Sequence, residues 1–290
     1  MKYKVFLLLV LTLFLSSCST QKERQLKISA TTWIGYTPLF YAKAKGWLQP
    51  LNIKLINVSS LSENMSVYKA GKSDAYVGTQ YEFNHLKNND LVPIIMFDRS
   101  NGGDVIMSNQ VIKELQDTNT TIDAYLEIDS INATLLKDFL SRYHLTQKTI
   151  NYINQDQTQI TTLQTKDISK PSLIVTYIPY NIQLEKNGFV EIASTKDNLD
   201  LLVVDAMFTS KKVLSNNKDR LLKLKKCIDT SIKNLQKDPE EFYKTVRPYL
   251  LDVSYEEFQH SINDIVWINK ERDVDLQKRI EVFFPLRSLL

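Results

Sequence analysis

The sequence predicts an α/β protein of two lobes built on mainly parallel sheets, with a helical tail at the C-terminus. Short β-branched runs alternate with helix-forming segments from Leu26 to about Val204, the pattern of sheets covered by crossover helices. Beyond Ala206 the pattern turns helical. With 43% apolar residues in a chain of 290, a large core is available, and this length favours two lobes over one.

Each element has a local reason. Leu26 to Thr32 reads as the first strand. After the Gly35-Tyr36-Thr37-Pro38 turn comes a helix from Pro38 to about Lys45, since proline suits a first helical turn. Gly46 ends it. Asn52 to Val58 is the second strand. Ser60-Leu61-Ser62-Glu63 has the spacing of a capping box opening a helix to Ala70, which Gly71 closes. Asp74 to Gly78, Val92 to Phe97, Asp104 to Ser108 and Ile122 to Leu126 follow as strands. Ser130 to Tyr143 is a helix with Leu135, Leu136, Phe139 and Leu140 on one face. Thr149 to Ile153, Ser172 to Thr176, Phe189 to Ala193 and Leu201 to Val204 are further strands. The tail holds helices from Arg220 to Leu235, from Pro239 to Leu250 capped by Asp238, and from Ser254 to Ile268 capped by Ser254 over Glu257.

The start of the chain reads as an export signal rather than fold. Met1-Lys2-Tyr3-Lys4 is basic, and Val5 to Leu15 is an apolar run of about eleven residues, short of the ~20 that span a bilayer. Leu15-Ser16-Ser17-Cys18 resembles the lipobox of bacterial lipoproteins. That resemblance implies a signal peptide over 1–17, lipidation of Cys18, and a polar tether over 18–25. It also implies an exported protein, anchored by lipid to the bacterial cell-envelope membrane and facing the periplasm or outer surface. Several acyl chains together anchor firmly where one does so marginally.

Charge and cysteine content narrow the function. The formal charge is +3; losing Lys2 and Lys4 with the leader leaves +1, which offers no electrostatic case for a nucleic-acid partner. The basic stretch Lys218 to Lys226 reads as the solvated face of a helix. Cys227 is the one thiol left once Cys18 is lipidated, a small apolar side chain on a helix. His85, His144 and His260 are scattered, so no metal site or cofactor is expected, and no catalytic residue is assigned.

In sheets of this kind, ligands sit outside the carboxyl ends of strands. Those loops carry the aromatics Trp33, Tyr36, Tyr81, Tyr177 and Tyr180. Acidic residues in or beside them are Glu82, Asp98, Asp104, Glu127, Asp129 and Asp205. Thr79, Gln80, Ser100, Asn101, Ser130, Asn132 and Thr176 add neutral hydrogen-bonding groups. The expected ligand-binding set is therefore Trp33, Tyr36, Thr79, Gln80, Tyr81, Ser100, Asn101, Asp104, Asp129, Ser130, Asn132, Thr176, Tyr177, Tyr180 and Asp205. Aromatic faces and carboxylates around a cleft suit a small polar solute bearing an amine or a nitrogen heterocycle. The structural alternatives are that Asp129 or Ser130 caps a helix, Asp205 caps the returning helix and the tyrosines pack a hinge.

The stretch Thr32-Trp33-Ile34-Gly35-Tyr36-Thr37-Pro38-Leu39-Phe40-Tyr41-Ala42-Lys43, with Gly46-Trp47-Leu48, resembles the opening of the nitrate/sulfonate/taurine-type substrate-binding proteins. That superfamily also holds binders of thiamine precursors. Ala70-Gly71-Lys72-Ser73-Asp74-Ala75, Gly102-Gly103-Asp104-Val105-Ile106 and the tail from Lys237 to Glu257 are similar to its later landmarks. The resemblance implies a type II periplasmic-binding fold, with crossovers near 103–105 and 196–204. The first lobe would be 26–102 plus 205–290, and the second 103–204. It further implies a monomer that delivers its solute to the permease of an ABC importer. Glu127-Ile128-Asp129-Ser130-Ile131-Asn132 departs from the small, hydroxyl-rich turn of the anion binders, and an acidic pair there would repel an anion. A sensory lipoprotein signalling to a membrane partner, and an enzyme similar to pyrimidine synthases, are the other readings.

Overall fold

The computed structural model describes residues 24–86, 89–196, 201–270, 272 and 274–290. The leader and Cys18 lie outside the described residues, as do 197–200 of the expected second crossover.

The first-half strands are β1 (Leu26–Ala30), β2 (Ile53–Asn57), β3 (Ala75–Thr79), β4 (Leu91–Ser100), β5 (Asp104–Ser108) and β6 (Ile122–Leu126). They are followed by β7 (Ile150–Asn154), β8 (Ser172–Tyr177), β9 (Val190–Ser194), β10 (Val204–Ser210) and β11 (Ile265–Trp267). The helices are α1 (Thr37–Ala44), α2 (Leu61–Lys69), α3 (Gln80–His85), α4 (Ile112–Asp117), α5 (Ile131–Arg142) and α6 (Gln157–Ile160). The later ones are α7 (Tyr180–Lys186), α8 (Lys211–Lys237), α9 (Pro239–Val246), α10 (Tyr255–Asn263) and α11 (Val274–Glu281).

Two sheets result. One has six strands in the order β11-β4-β10-β3-β1-β2, the other five in the order β7-β6-β8-β5-β9. The chain leaves the first sheet after β4, enters the second at β5, and returns from β9 to β10. The sheets are mixed rather than mainly parallel. β1 pairs parallel with β2 and β3, and β6 with β7 and β8, as β-α alternation requires. The strands beside the crossovers pair antiparallel: β10 with β3 and β4, and β5 with β8 and β9. Strands that arrive from the other sheet need no helical crossover, so that constraint on direction is absent.

Two tail elements differ from expectation. The segment after Ala206 continues as strand to Ser210, buried between β3 and β4. Its Ala-Met-Phe run has no alternation because both faces are covered. The expected helix to Ile268 ends at Asn263, and Ile265-Val266-Trp267 pairs with β4 as an edge strand, in keeping with its β-branched and aromatic content.

Capping follows the sequence closely. Pro38 lies in the first turn of α1, and the Ser254 and Asp238 side chains accept from the N–H groups of Glu257 (3.2 Å) and Glu241 (3.0 Å). At α2, Ser60 Oγ accepts from Glu63 N at 3.0 Å, but Glu63 Oε2 returns to Ser59 N (2.7 Å) rather than to the cap residue. The first core wraps β1, β3 and β4 with α1, α8 and α9, through Ile28, Leu39, Phe40, Phe97, Leu221, Leu224, Ile228 and Phe242. The second sheet has its own core of Leu126, Leu135, Phe139, Leu173 and Val175. No helix among the described residues is long and apolar enough to cross a membrane.

Candidate functional site

The ends of β1, β3, β5, β8 and β10 surround a small cavity of about 20 Å³ lined by Thr31, Trp33, Tyr36, Leu61, Thr79, Asp104, Ile131, Tyr177, Val203 and Asp205. That is room for about one water molecule, far below the ~300–1,000 Å³ of drug-sized ligand sites, so a solute would enter only with the lining side chains or the two sheets moved apart. Both sheets contribute. Trp33 and Tyr36 come from the loop after β1, Thr79 ends β3, and Asp205 lies in β10. Asp104 starts β5 and pairs with Tyr177 of β8.

The chemistry is dominated by buried carboxyls. Asp98 of β4 and Asp205 of β10 are direct cross-strand partners, an arrangement that disfavours two like charges. Asp98, Asp104 and Asp205 are all buried. Burial, then repulsion from Asp98, pushes Asp205 well above the usual carboxylate range, although a hydrogen bond from Tyr36 opposes this. Burial also raises Asp98 strongly, against the hydrogen bond it accepts from Trp33. Asp104 is pushed up to about 7, again by burial, with the Ser100 hydrogen bond acting against it. Trp33 Nε1 donates to Asp98 Oδ1 at 3.2 Å, and the Tyr36 hydroxyl donates to Asp205 Oδ1. Asp98 Oδ2, Asp104 Oδ2, Thr31 Oγ1 and the Tyr177 hydroxyl are buried without a partner. Burying polar groups without partners costs free energy, and three of these atoms, on Thr31, Asp104 and Tyr177, belong to residues that line the cavity, where a polar ligand would satisfy them.

Aromatic packing joins the two sheets. Trp33 meets Tyr177 edge-on at 5.8 Å, and Tyr177 meets Tyr180 at 5.2 Å. The indole is held by glycines. A Cβ on Gly103 would lie 2.5 Å from Trp33 Cη2, and one on Gly35 would collide with both Trp33 Nε1 and Asp98 Oδ2.

Of the expected ligand-binding residues, Trp33, Tyr36, Thr79, Asp104, Tyr177 and Asp205 line the cavity. Several others have structural partners instead. Gln80 donates to Leu202 O and accepts from Val204 N at 2.9 Å, so it ties down the returning segment. Ser100 Oγ lies 2.8 Å from Thr195 Oγ1 and accepts from Asp104 N at 2.9 Å, clasping the two crossovers together. Ser130 caps α5 by accepting from Asn132 N (3.2 Å). Asp129 is exposed and Asn101 half-buried, both off the cavity lining. Tyr81 is half-buried and stacks on His85. Tyr180 stands behind Tyr177, and burial pushes its hydroxyl up to about 12. Asp205 does not cap a helix, because it lies inside β10.

Asn132 and Thr176 meet at a residue the sequence did not single out. Gln157 Nε2 donates to Asn132 Oδ1 at 3.2 Å, and Thr176 Oγ1 donates to Gln157 Oε1 at 2.7 Å. Gln157 begins α6 just after β7, so the strand-end rule that selected the other loops would have found it. Glu82 and Glu127, noted as acidic neighbours, are fully buried. Glu82 Oε2 accepts from Thr79 N at 2.8 Å and Oε1 from Ile131 N at 3.2 Å. Glu127 Oε2 accepts from Leu61 N at 2.9 Å, and burial pushes Glu127 up to about 8. Among the described residues, no three His, Cys, Asp or Glu side chains are arranged to hold a metal ion.

Comparison with known proteins gives the fold a context. Among solved structures, the alkanesulfonate-binding protein SsuA from Xanthomonas axonopodis pv. citri bound to MOPS is similar with a TM-score of 0.69 and 13% identity, over 92% of this chain and 94% of that one. The ligand-binding component of an ABC-type import system from Staphylococcus aureus, with zinc bound, gives a TM-score of 0.68 at 12% identity, over 89% and 90%. A Candida albicans protein described as exhibiting the generic periplasmic binding protein structural fold gives 0.67 at 12%, over 90% and 96%. This chain thus has the periplasmic-binding-protein fold, two α/β lobes joined by two crossovers with helices at the C-terminus. No curated protein matches the sequence. Residues 33–242, which carry the Trp33 loop, the buried aspartates and both crossovers, match the family described as NMT1/THI5 like, and the chain belongs to that family.

Proposed function

We propose that this protein is an exported, lipid-anchored solute receptor that delivers a small polar solute, carrying an amine or a nitrogen heterocycle, to an ABC import permease. It acts as a monomer. The lobes are 26–102 plus 205–290 and 103–204, and they close on the solute by bending at the crossovers. The differential affinity of the solute for the closed over the open form sets the population a permease would recognise.

One observation carries the ligand class: Asp98, Asp104 and Asp205 are buried together, beside aromatic rings, with no cationic side chain lining the cavity. Protons are held on these carboxyls by burial and mutual repulsion. An ammonium group would supply the missing positive charge and donate charge-assisted hydrogen bonds to the carboxylates, while Trp33 and Tyr177 offer aromatic rings for cation–π contact. The solute leaves unchanged, as expected of a receptor rather than an enzyme. His85 packs on Tyr81 instead of lining the cavity.

A thermal-shift screen of the purified protein tests this against panels of amines, nitrogen heterocycles and sulfonates. A ligand present at 100 times its Kd adds ~2.7 kcal/mol of stability. Shifts with sulfonates and none with amines or heterocycles would sink the reading.

A further inference from the structure

Two helix N-termini face the cavity from opposite sheets. α2 begins at Leu61 and α5 at Ile131, and both residues line the cavity. The free N–H groups and positive dipole end at such a point ordinarily favour an anion. Here the first N–H of each helix is already taken by a carboxyl from the other side of the cleft. Glu127, which follows β6 of the second sheet, accepts from Leu61 N at 2.9 Å. Glu82, on α3 of the first sheet's unit, accepts from Ile131 N at 3.2 Å. The exchange is reciprocal. The cap serines are committed as well, Ser60 Oγ to Glu63 N (3.0 Å) and Ser130 Oγ to Asn132 N (3.2 Å). Glu82 and Glu127 are 1% and 2% exposed, so neither can swing into solvent while the cleft is shut. An anion in the cavity would find those donors occupied and would face Asp104 and Asp205.

We propose that Glu82 and Glu127 are specificity-determining residues: by occupying the first N–H of each helix that faces the cavity, they deny an anionic solute those donors and disfavour it. This deepens the proposed reading and rests on it for the location of the ligand, but it depends on different atoms from those expected to hold an ammonium group.

Isothermal titration of the full chain with sulfate, methanesulfonate and methylammonium tests it, on wild type, Glu127→Ala, Glu127→Gln and Glu82→Ala. Glu127→Ala frees Leu61 N, whereas Glu127→Gln keeps a carbonyl acceptor on it. The expected result is an anion affinity at least about tenfold higher in Glu127→Ala than in wild type, one or more charge-assisted hydrogen bonds' worth, with Glu127→Gln close to wild type. If circular dichroism shows Glu127→Ala unfolded, Glu82→Ala decides through Ile131 N. Folded alanine variants that gain no anion affinity overturn the proposal. So does wild-type protein that binds either anion as tightly as the variants do. Methylammonium separates the two ideas. Wild type that ignores methylammonium while Glu127→Ala gains anions counts against the amine reading alone. Methylammonium binding without any anion gain counts against the exclusion role alone.

Discussion

Replacing Asp104 with Asn would isolate the electrostatic cost built into the cavity. Burial carries the Asp104 carboxyl from 3.8 to about 7. That displacement of about three units corresponds to ~4 kcal/mol at ~1.4 kcal/mol per unit, an order-of-magnitude figure. Because the folded-state value is raised, the folded protein keeps its proton after the unfolded chain has lost it. The associated stability is whole below about pH 4 and is lost as the pH rises through about 7. Between about pH 5 and about pH 8 the loss amounts to roughly 2–3 kcal/mol. Asparagine has the shape of the protonated acid and does not titrate. Urea denaturation of both proteins at those two pH values should therefore show wild type losing about that much more than the variant. Asp98 and Asp205 titrate in both proteins, so a residual slope should remain in Asp104→Asn. Bound ammonium ligand should reverse the wild-type loss, since a cation favours the ionised carboxylate. Equal slopes for the two proteins without ligand would refute the assignment of the titration to Asp104.

Gly103→Ala places a methyl 2.5 Å from Trp33 Cη2, so it should displace the indole from Asp98. A stability loss of about 1–3 kcal/mol is expected for such overpacking, together with weaker ligand binding by calorimetry; wild-type values for both would show that the ring has room to move. Gln80→Leu removes both hydrogen bonds from the side chain to the 202–204 segment. It should lower the urea midpoint by an amount equivalent to about 2–3 kcal/mol, and an unchanged midpoint would mean that the segment is held by other contacts.

The legibility of this molecule in its sequence follows the range of the forces involved. Local signals are legible: Pro38 at a helix start, Ser254 over Glu257, and Gly46 in a positive-φ conformation after α1. Those features depend on a few neighbouring residues. The direction of strand pairing was not legible, because β10 is placed by its return from another sheet and not by its own residues. The same holds for the end of β10, whose Met207 and Phe208 lack alternation because they are covered on both faces.

At the cavity, the strand-end rule located Trp33, Tyr36, Thr79, Asp104, Tyr177 and Asp205 without knowledge of the sheets. It could not tell a ligand contact from a structural tie. Gln80 and Ser100 sit at the right strand ends, yet their partners, Leu202, Val204 and Thr195, are about 100 residues away or more in sequence. Asp98 was named only as a neighbour, and its importance comes from facing Asp205 across a strand pair that no sequence spacing encodes.

The setting of Trp33 also makes it a natural optical probe. Trp33 is 4% exposed, wedged between Gly35 on its own loop and Gly103 where the chain passes between sheets, with the Asp98 carboxyl group at its nitrogen. Any parting of the halves at that passage would admit water to the indole and alter its charge surroundings. Ultraviolet emission from this one side chain, isolated by replacing Trp47 and Trp267 with Phe, would then shift to longer wavelength, giving a label-free readout of whether and when the halves part.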